Sequence, residues 1–430
     1  MIGGDIFVND MICEQNEKKK STLYCNIKGD NKLSLEMGFF IVLNCAVSTG
    51  PFYIGATLQC GVIIALLVVA FVMTLTIMSY QLLQRTWIFE DNFSYQEIWN
   101  KCFKNKYTWV PCTLIICAYT SITMAGNAEL LYDFRIAFKK QITSIPKSLN
   151  IDFFIDVIIP LVFQVPFALI EEISGFAKLS MVGKIALIVG VSCIAYEFIV
   201  YTSIYGFDPD GKISYWNPNI FYIFECFLSI NAVFFVHPIL NYVFSNLENP
   251  TENRCMKIIW GYSTATGLLM LIAGYCAYFM YLDTMTLVDV IYYLPANKLH
   301  STIARFGSLI SNTALMNLYI WLNSREVCKI LYLKSDKSRV CRIISAITLI
   351  LFNIASGVMS EIFIFFFKIF ANATFIILAY GIPPIFYLKL YGKSNLKWFR
   401  SSIFLIAITI ILVVAYLAYK IKYSGQSLFW

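Results

Sequence analysis

Charge is what this sequence has least of. Only 14% of its 430 residues are Asp, Glu, Lys or Arg, against about a quarter in ordinary soluble domains. Histidine is almost absent, with His237 and His300 alone, which leaves no basis for a His-built metal site. No C-x-x-C pair occurs among the thirteen cysteines. Most stand singly inside apolar runs, as Cys45, Cys60, Cys117, Cys193, Cys226 and Cys276 do, where a thiol serves as a small hydrophobe. No H-x-x-x-x-D or H-E-x-x-H pattern is present, so a membrane-embedded enzyme is disfavoured. No repeated filter-like loop suggests a channel. The first residues are polar, with Lys18, Lys19, Lys20, Lys28 and Lys32. They lack the apolar core of a secretory signal.

What is present is hydrophobicity: 59% of the chain is apolar. Stretches of roughly 20 apolar residues, the length that crosses a bilayer, recur along most of it. The reading is an all-α membrane protein of about eleven spans: 36–57, 60–83, 108–133, 152–170, 179–205, 219–246, 257–281, 302–323, 341–359, 361–388 and 400–420. A polar tail covers 1–34 and the membrane domain 35–423. The net charge of +7 falls in short segments between apolar runs, which speaks for membrane topology and against nucleic acid. With the N-terminus in the cytoplasm, 23 Lys and Arg fall on the inner side and 8 on the outer, counting Lys184 with the inner loop before span 5. That bias fits the positive-inside rule; Arg135, Lys139, Lys140 and Lys147 form the one outer loop against it. Between spans 2 and 3, Phe93, Ile98, Trp99 and Phe103 recur at helical spacing beside Lys101, Lys104 and Lys106. This predicts an interfacial helix on the inner leaflet.

Two spans carry interruptions at matching places. Span 1 holds Ser48, Thr49, Gly50 and Pro51 at mid-depth, preceded by Asn44. Span 6 holds Ser229, Asn231, His237, Pro238 and Asn241. Pro removes a backbone donor and clashes one turn back. Gly permits close approach of a ligand. Broken helices at the midplane of two repeats bare N–H groups for a carboxylate and carbonyls for cations. The plan is a LeuT-like 5+5 inverted repeat, with repeat one at 36–205, repeat two at 219–388 and an extra span at 400–420. Ionisable groups inside spans are functional candidates by default: Glu129, Glu197, Glu225, Arg305 and Lys368. His237 is the sharpest candidate for gating or proton linkage, because imidazole titrates near neutral pH.

The motifs resemble those of the amino acid/auxin permease family, and within it the sodium-coupled neutral amino acid transporters and their vacuolar relatives. Asn44-Cys45-Ala46-Val47-Ser48-Thr49-Gly50 is similar to that family's N-A-x-x-G-S-G. Gln59-Cys60-Gly61 looks like its Q-x-G. The run from His237 to Pro250 aligns without a gap on H-P-E-x-x-P-x-Y-x-x-L-x-x-P, and Pro383-Pro384-Ile385-Phe386-Tyr387-Leu388-Lys389-Leu390 on P-x-x-F-Y-L-R-L. Departures include Cys45 for Ala, Ser48 and Thr49 for Gly and Ser, Ile239 for Glu and Tyr242 for Pro.

The resemblance implies transport of amino acids, neutral ones by preference, across a bilayer by alternating access, with sodium or a proton as coupling ion and no other cofactor. The substrate carboxylate would meet Ser48, Thr49 and Gly50; its ammonium would meet carbonyls from Asn231 to Phe234. A cation would bind at Asn44 and a hydroxyl of span 8, with Thr313 chosen and Ser311 its rival. The expected home is the plasma membrane or a vacuolar or lysosomal membrane, as a multi-pass protein. An exporter from such a compartment, or an amino acid sensor of the same fold, is the alternative.

Overall fold

The computed structural model describes residues 33–47, 58–90, 94–137, 157–208, 213–281, 290–295, 298–332, 339–358 and 371–423. Among these the chain is helical, and a helix overlaps each of the eleven expected segments. Span 1 is α1 (Leu35–Ala46) and span 2 is α2 (Val62–Glu90). Next come α3 (Tyr95–Phe103), α4 (Val110–Ala137), α5 (Ile159–Ala168) and α6 (Ala177–Tyr205). Span 6 is two helices, α7 (Ile220–Phe234) and α8 (His237–Ser245). Then come α9 (Glu252–Tyr281), α10 (Leu299–Tyr332) and α11 (Arg339–Val358). Span 10 runs through a π-helical stretch, Ile377–Gly381, into α12 (Ile382–Tyr391), and α13 (Leu396–Tyr423) closes the series. Among the described residues, six helical segments are long and apolar enough to cross a membrane: Val62–Trp87, Ile173–Tyr205, Ile220–Ser245, Glu252–Tyr281, Ala371–Tyr391 and Leu396–Lys422. The chain is an integral membrane protein.

Helix starts follow local chemistry. The Ser34 hydroxyl accepts from Met37 N–H at 3.2 Å and caps α1, and Asn219 does the same for α7 through Phe221 N–H at 3.0 Å. Such caps satisfy donors that no earlier turn can reach. Before α2 the chain makes a tight turn at Gly61, whose φ is +95°. A Cβ there would stand 2.9 Å from the backbone nitrogens of Trp216 and Asn217. That crossing supplies partners for the start of α2: Val62 N–H bonds Ser214 C=O at 3.2 Å and Ile63 N–H bonds Tyr215 C=O at 3.1 Å. The glycine of Gln59-Cys60-Gly61 is thus required by a backbone crossing. At the other end of α1, Leu33 N–H bonds Asn246 C=O at 2.7 Å, and Glu248 N–H bonds Leu33 C=O at 2.9 Å. The entry to α1 is clasped to the exit of α8.

The closest seam joins α6 and α10 through small residues. A Cβ on Gly307 would lie 2.5 Å from the carbonyl oxygen of Ala186 and 3.4 Å from the Cα of Gly190. One on Gly183 would lie 2.9 Å from the Cβ of Ala314. Small residues of this kind let membrane helices approach where no hydrophobic effect pulls them together. Although 34 residues long, α10 is too polar to stand among the six apolar segments. It turns Ser301, Ser308, Ser311, Asn312, Asn317, Asn323 and Glu326 into the interior. Lipid-facing surface is left to helices such as α6, with exposed Ile185, Ile188, Val189 and Ile199, and α13, with exposed Ile403, Ile410, Ile411 and Val414. A helix, α3, stands where the interfacial one is expected. Its Tyr95 and Ile98 are buried, and Tyr95 packs 5.8 Å from the ring of Phe386 on α12.

One sequence assignment is corrected. Lys184, counted with the loop before span 5, sits inside α6 with no exposed surface. It belongs to the protein interior and drops out of the inner-side charge tally.

Substituting Gly307 with Ala should force α6 and α10 apart. Overpacking of this kind costs about 1–3 kcal/mol. We expect a lower thermal unfolding midpoint for Gly307→Ala in detergent, read by intrinsic fluorescence, while Gly267→Ala serves as a control because a Cβ there would meet its nearest neighbour, Val69, at an ordinary 3.8 Å.

Candidate functional site

Span 6 breaks at Phe235 and Val236, between α7 and α8. Pro238 explains the position. It has no N–H to give to the carbonyl one turn back, which is that of Phe234. A buried carbonyl left without a partner costs about 1–3 kcal/mol, and here Tyr80 of α2 supplies the donor. Its hydroxyl donates to Phe234 C=O at 3.0 Å and accepts from Val236 N–H at 3.3 Å. One side-chain oxygen therefore bridges both sides of the break. On the α7 side, Phe235 N–H bonds the Ala232 carbonyl at 3.3 Å, three residues back. The α-helical bond to Asn231's carbonyl is thereby not made.

His237 opens α8 and is fully buried. Its Nε2 lies 3.2 Å from the Ser79 hydroxyl, and its ring lies 4.0 Å from that of Tyr80. Ser79 also donates to the carbonyl of Ala379 in the π-helical stretch. Asn231 accepts from the Tyr380 hydroxyl at 2.7 Å, and Tyr380 meets Thr76 at 3.2 Å. The extra residue per turn of a π segment brings Ala379 and Tyr380 to the break. Aromatic rings line the approach: Tyr119 of α4 stacks on Tyr319 of α10 at 4.5 Å, and Phe235 lies 5.6 Å from Tyr119 and 4.8 Å from Phe375.

On the span 1 side, α1 ends at Ala46. The Cys45 carbonyl accepts from the Tyr319 hydroxyl at 2.7 Å. Asn44 is fully buried, and neither amide atom finds a hydrogen-bond partner among the described residues. Ser48, Thr49 and Gly50 lie outside the described residues. Across from Asn44, α6 approaches so closely that a Cβ on Gly183 would lie 3.4 Å from Asn44 Oδ1 and 3.5 Å from Ser311 Cα. The next residue, Lys184, directs its ammonium to the Ser311 hydroxyl at 3.0 Å. Asn44, Lys184 and Ser311 thus share one small polar locus between α1, α6 and α10. The hydroxyl of Thr313 instead donates to Leu309 C=O of its own helix at 2.8 Å.

Of the residues singled out from the sequence, Asn44 lies near the end of α1, and Asn231, Phe234 and His237 lie around the break of span 6. The ionisable candidates lie elsewhere. Glu197 is paired with Lys298 at 3.0 Å and with His300. Glu225 accepts from Tyr419. Arg305 donates to the carbonyls of Leu294 at 2.7 Å and Ile291 at 3.4 Å. Each ties a helix end to a neighbour. Lys368 lies outside the described residues, and Glu129 is described by its backbone alone. Sequence reasoning missed Tyr80, Tyr319, Tyr380 and Lys184. The first three look like ordinary apolar filler. Lys184 carried a usable signal, standing between Val182-Gly183 and Ile185-Ala186.

No protein-family model matches the sequence, and no curated protein matches it. Solved structures do. MhsT in complex with L-phenylalanine superposes with a TM-score of 0.56 at 11% identity, covering 90% of this chain and 100% of that one. The Eremococcus coleocola manganese transporter, in complex with an aromatic bis-isothiourea substituted compound, gives 0.54 at 13%, covering 91% and 88%. Mhp1, a nucleobase-cation-symport-1 family transporter in a closed conformation with bromovinylhydantoin bound, gives 0.52 at 13%, covering 94% and 97%. The chain therefore has the all-α LeuT-like fold of these membrane proteins. At such identities the likeness is one of fold.

Removing the Tyr80 hydroxyl strands Phe234 C=O and Val236 N–H. We expect Tyr80→Phe to destabilise the protein by about 1–3 kcal/mol, seen as a lower unfolding midpoint, with His237→Gln milder because it strands no backbone group. An unchanged midpoint in Tyr80→Phe would mean that the break does not depend on this bridge.

Proposed function

We propose that the protein is a secondary-active amino acid transporter coupled to protons rather than to sodium. The observation that carries the coupling is the Lys184 ammonium, fully buried and 3.0 Å from Ser311 beside the unpartnered Asn44 amide. Asn44 and a hydroxyl of α10 are the groups expected to hold a cation. A protonated lysine brings a positive charge to that locus as part of the chain. A buried charge demands such partners, and a lysine, unlike a metal ion, can surrender the charge by releasing a proton. Protonation and deprotonation of Lys184 would then do for α1, α6 and α10 what cation binding and release do in a sodium-coupled relative.

The amino acid reading rests on three supports. The broken span 6 offers a backbone carbonyl at Asn231, outside the helical ladder, for an ammonium group. The span 1 sequence Ser48-Thr49-Gly50 offers N–H groups for a carboxylate. MhsT, of the same fold, binds L-phenylalanine. The Phe234 carbonyl is held by Tyr80, so the ammonium contact centres on Asn231. The nearby rings of Tyr119, Tyr319, Phe235 and Phe375 favour a neutral amino acid with an apolar side chain. With the N-terminus in the cytoplasm, α8 and the C-terminal end of α10 face inward.

The test is uptake of a panel of labelled amino acids into proteoliposomes under imposed proton or sodium gradients. A proton gradient should drive concentrative uptake of a neutral amino acid, and a sodium gradient should not. Lys184→Ala should lose gradient-driven accumulation by more than tenfold while retaining exchange of internal for external substrate. Sodium-driven uptake, or Lys184→Ala accumulating as the parent does, would overturn the coupling assignment. Separately, Gly50→Val should crowd the carboxylate position and abolish uptake at normal expression. Normal transport by Gly50→Val would show that the site lies elsewhere.

A further inference from the structure

We infer that Cys328 and Cys341 form a redox-modifiable dithiol that closes to a disulfide between α10 and α11. Their sulfurs lie 2.9 Å apart. Cys328 stands near the end of α10 and Cys341 in the first turn of α11. Ser345, one turn further along α11, places its hydroxyl 3.9 Å from each sulfur. A disulfide has its sulfurs at about 2.05 Å, so closure needs them to approach by about 0.9 Å. The two helix ends already hold the side chains face to face.

The chemistry requires one two-electron oxidant, and a hydroperoxide is the class that fits a buried pair. Cys341 keeps 7% of its surface open and Cys328 none, so Cys341 meets the oxidant first. Its thiolate attacks the terminal peroxide oxygen, the O–O bond breaks, and the alcohol leaves with a sulfenic acid on Cys341. The Cys328 thiol then attacks that sulfur and water departs. Two thiols and one hydroperoxide become one disulfide, one alcohol and one water.

The position gives the modification a structural consequence. Cys328 lies between Glu326 and Lys329, which grip Tyr242 of α8. Tyr242 donates to Glu326 Oε1 at 2.8 Å, while Lys329 donates to the same oxygen at 2.8 Å and to the Tyr242 oxygen at 2.7 Å. The end of α10 is thus held by α8 on one side and meets α11 on the other. A disulfide makes the second contact covalent, on the turn that carries the first.

The experiment reads the bond itself and is independent of transport. The purified full-length protein is treated with hydrogen peroxide, alkylated under denaturing conditions and mapped by peptide mass spectrometry. We expect a Cys328–Cys341 linked peptide that dithiothreitol reverses, and a thermal midpoint several degrees higher in the oxidised protein. Cys328→Ser and Cys341→Ser should each abolish both changes. Full alkylation of both cysteines after peroxide would overturn the inference. So would conversion of Cys341 to sulfinic acid without linkage, or an equal midpoint shift in the two serine variants.

Discussion

In hydrocarbon every backbone N–H and C=O needs a partner from within the protein, and Pro238 removes one from the middle of a membrane span. The Tyr80 hydroxyl answers that loss by holding Phe234 C=O and Val236 N–H together. Much of the centre follows from this one oxygen. It holds the end of α7 to the start of α8 beside the His237 ring, whose centroid lies 4.0 Å from that of Tyr80, and it occupies one lone pair of the Phe234 carbonyl. Asn231, one turn earlier, is oriented by Tyr380 from the π-helical stretch. The break is therefore a built joint, with α2 and span 10 supplying the groups that a continuous helix would have found in itself.

Close approach of α6 and α10 sets up the second polar locus. Without side chains at Gly183 and Gly307 the two helices come near enough for the Lys184 ammonium to reach Ser311 across the seam. Helix proximity, obtained through missing side chains, thus places an ionisable amine deep in the protein. The tyrosines of α4 and α10 complete the wall between the two loci, with Tyr319 touching both the Cys45 carbonyl and the Tyr119 ring.

The membrane class and the helical segments were legible because span length and apolar runs are local properties of sequence. The break in span 6 was legible because Pro238 announces a missing donor. The partners that repair it were not, since Tyr80 lies 154 residues from Phe234 and Tyr319 lies 274 from Cys45. A tyrosine inside an apolar run gives no hint of which distant carbonyl it will meet. Lys184 falls within the expected span 5, and its charge counts with the loop because a lysine near the edge of an apolar run normally marks that edge. Ser311 and Thr313 could not be ranked by spacing alone. In the structure the Ser311 hydroxyl faces Lys184, while that of Thr313 donates to Leu309 of its own helix.

The backbone clasp between Leu33 and the Asn246–Glu248 segment carries a mechanical corollary. It joins the start of α1 to the finish of α8, so the two helices share a single anchor. A force applied to the N-terminal tail is transmitted through two hydrogen bonds to α8 as well as to α1. Swinging either rod outward must drag its counterpart or first unzip the anchor.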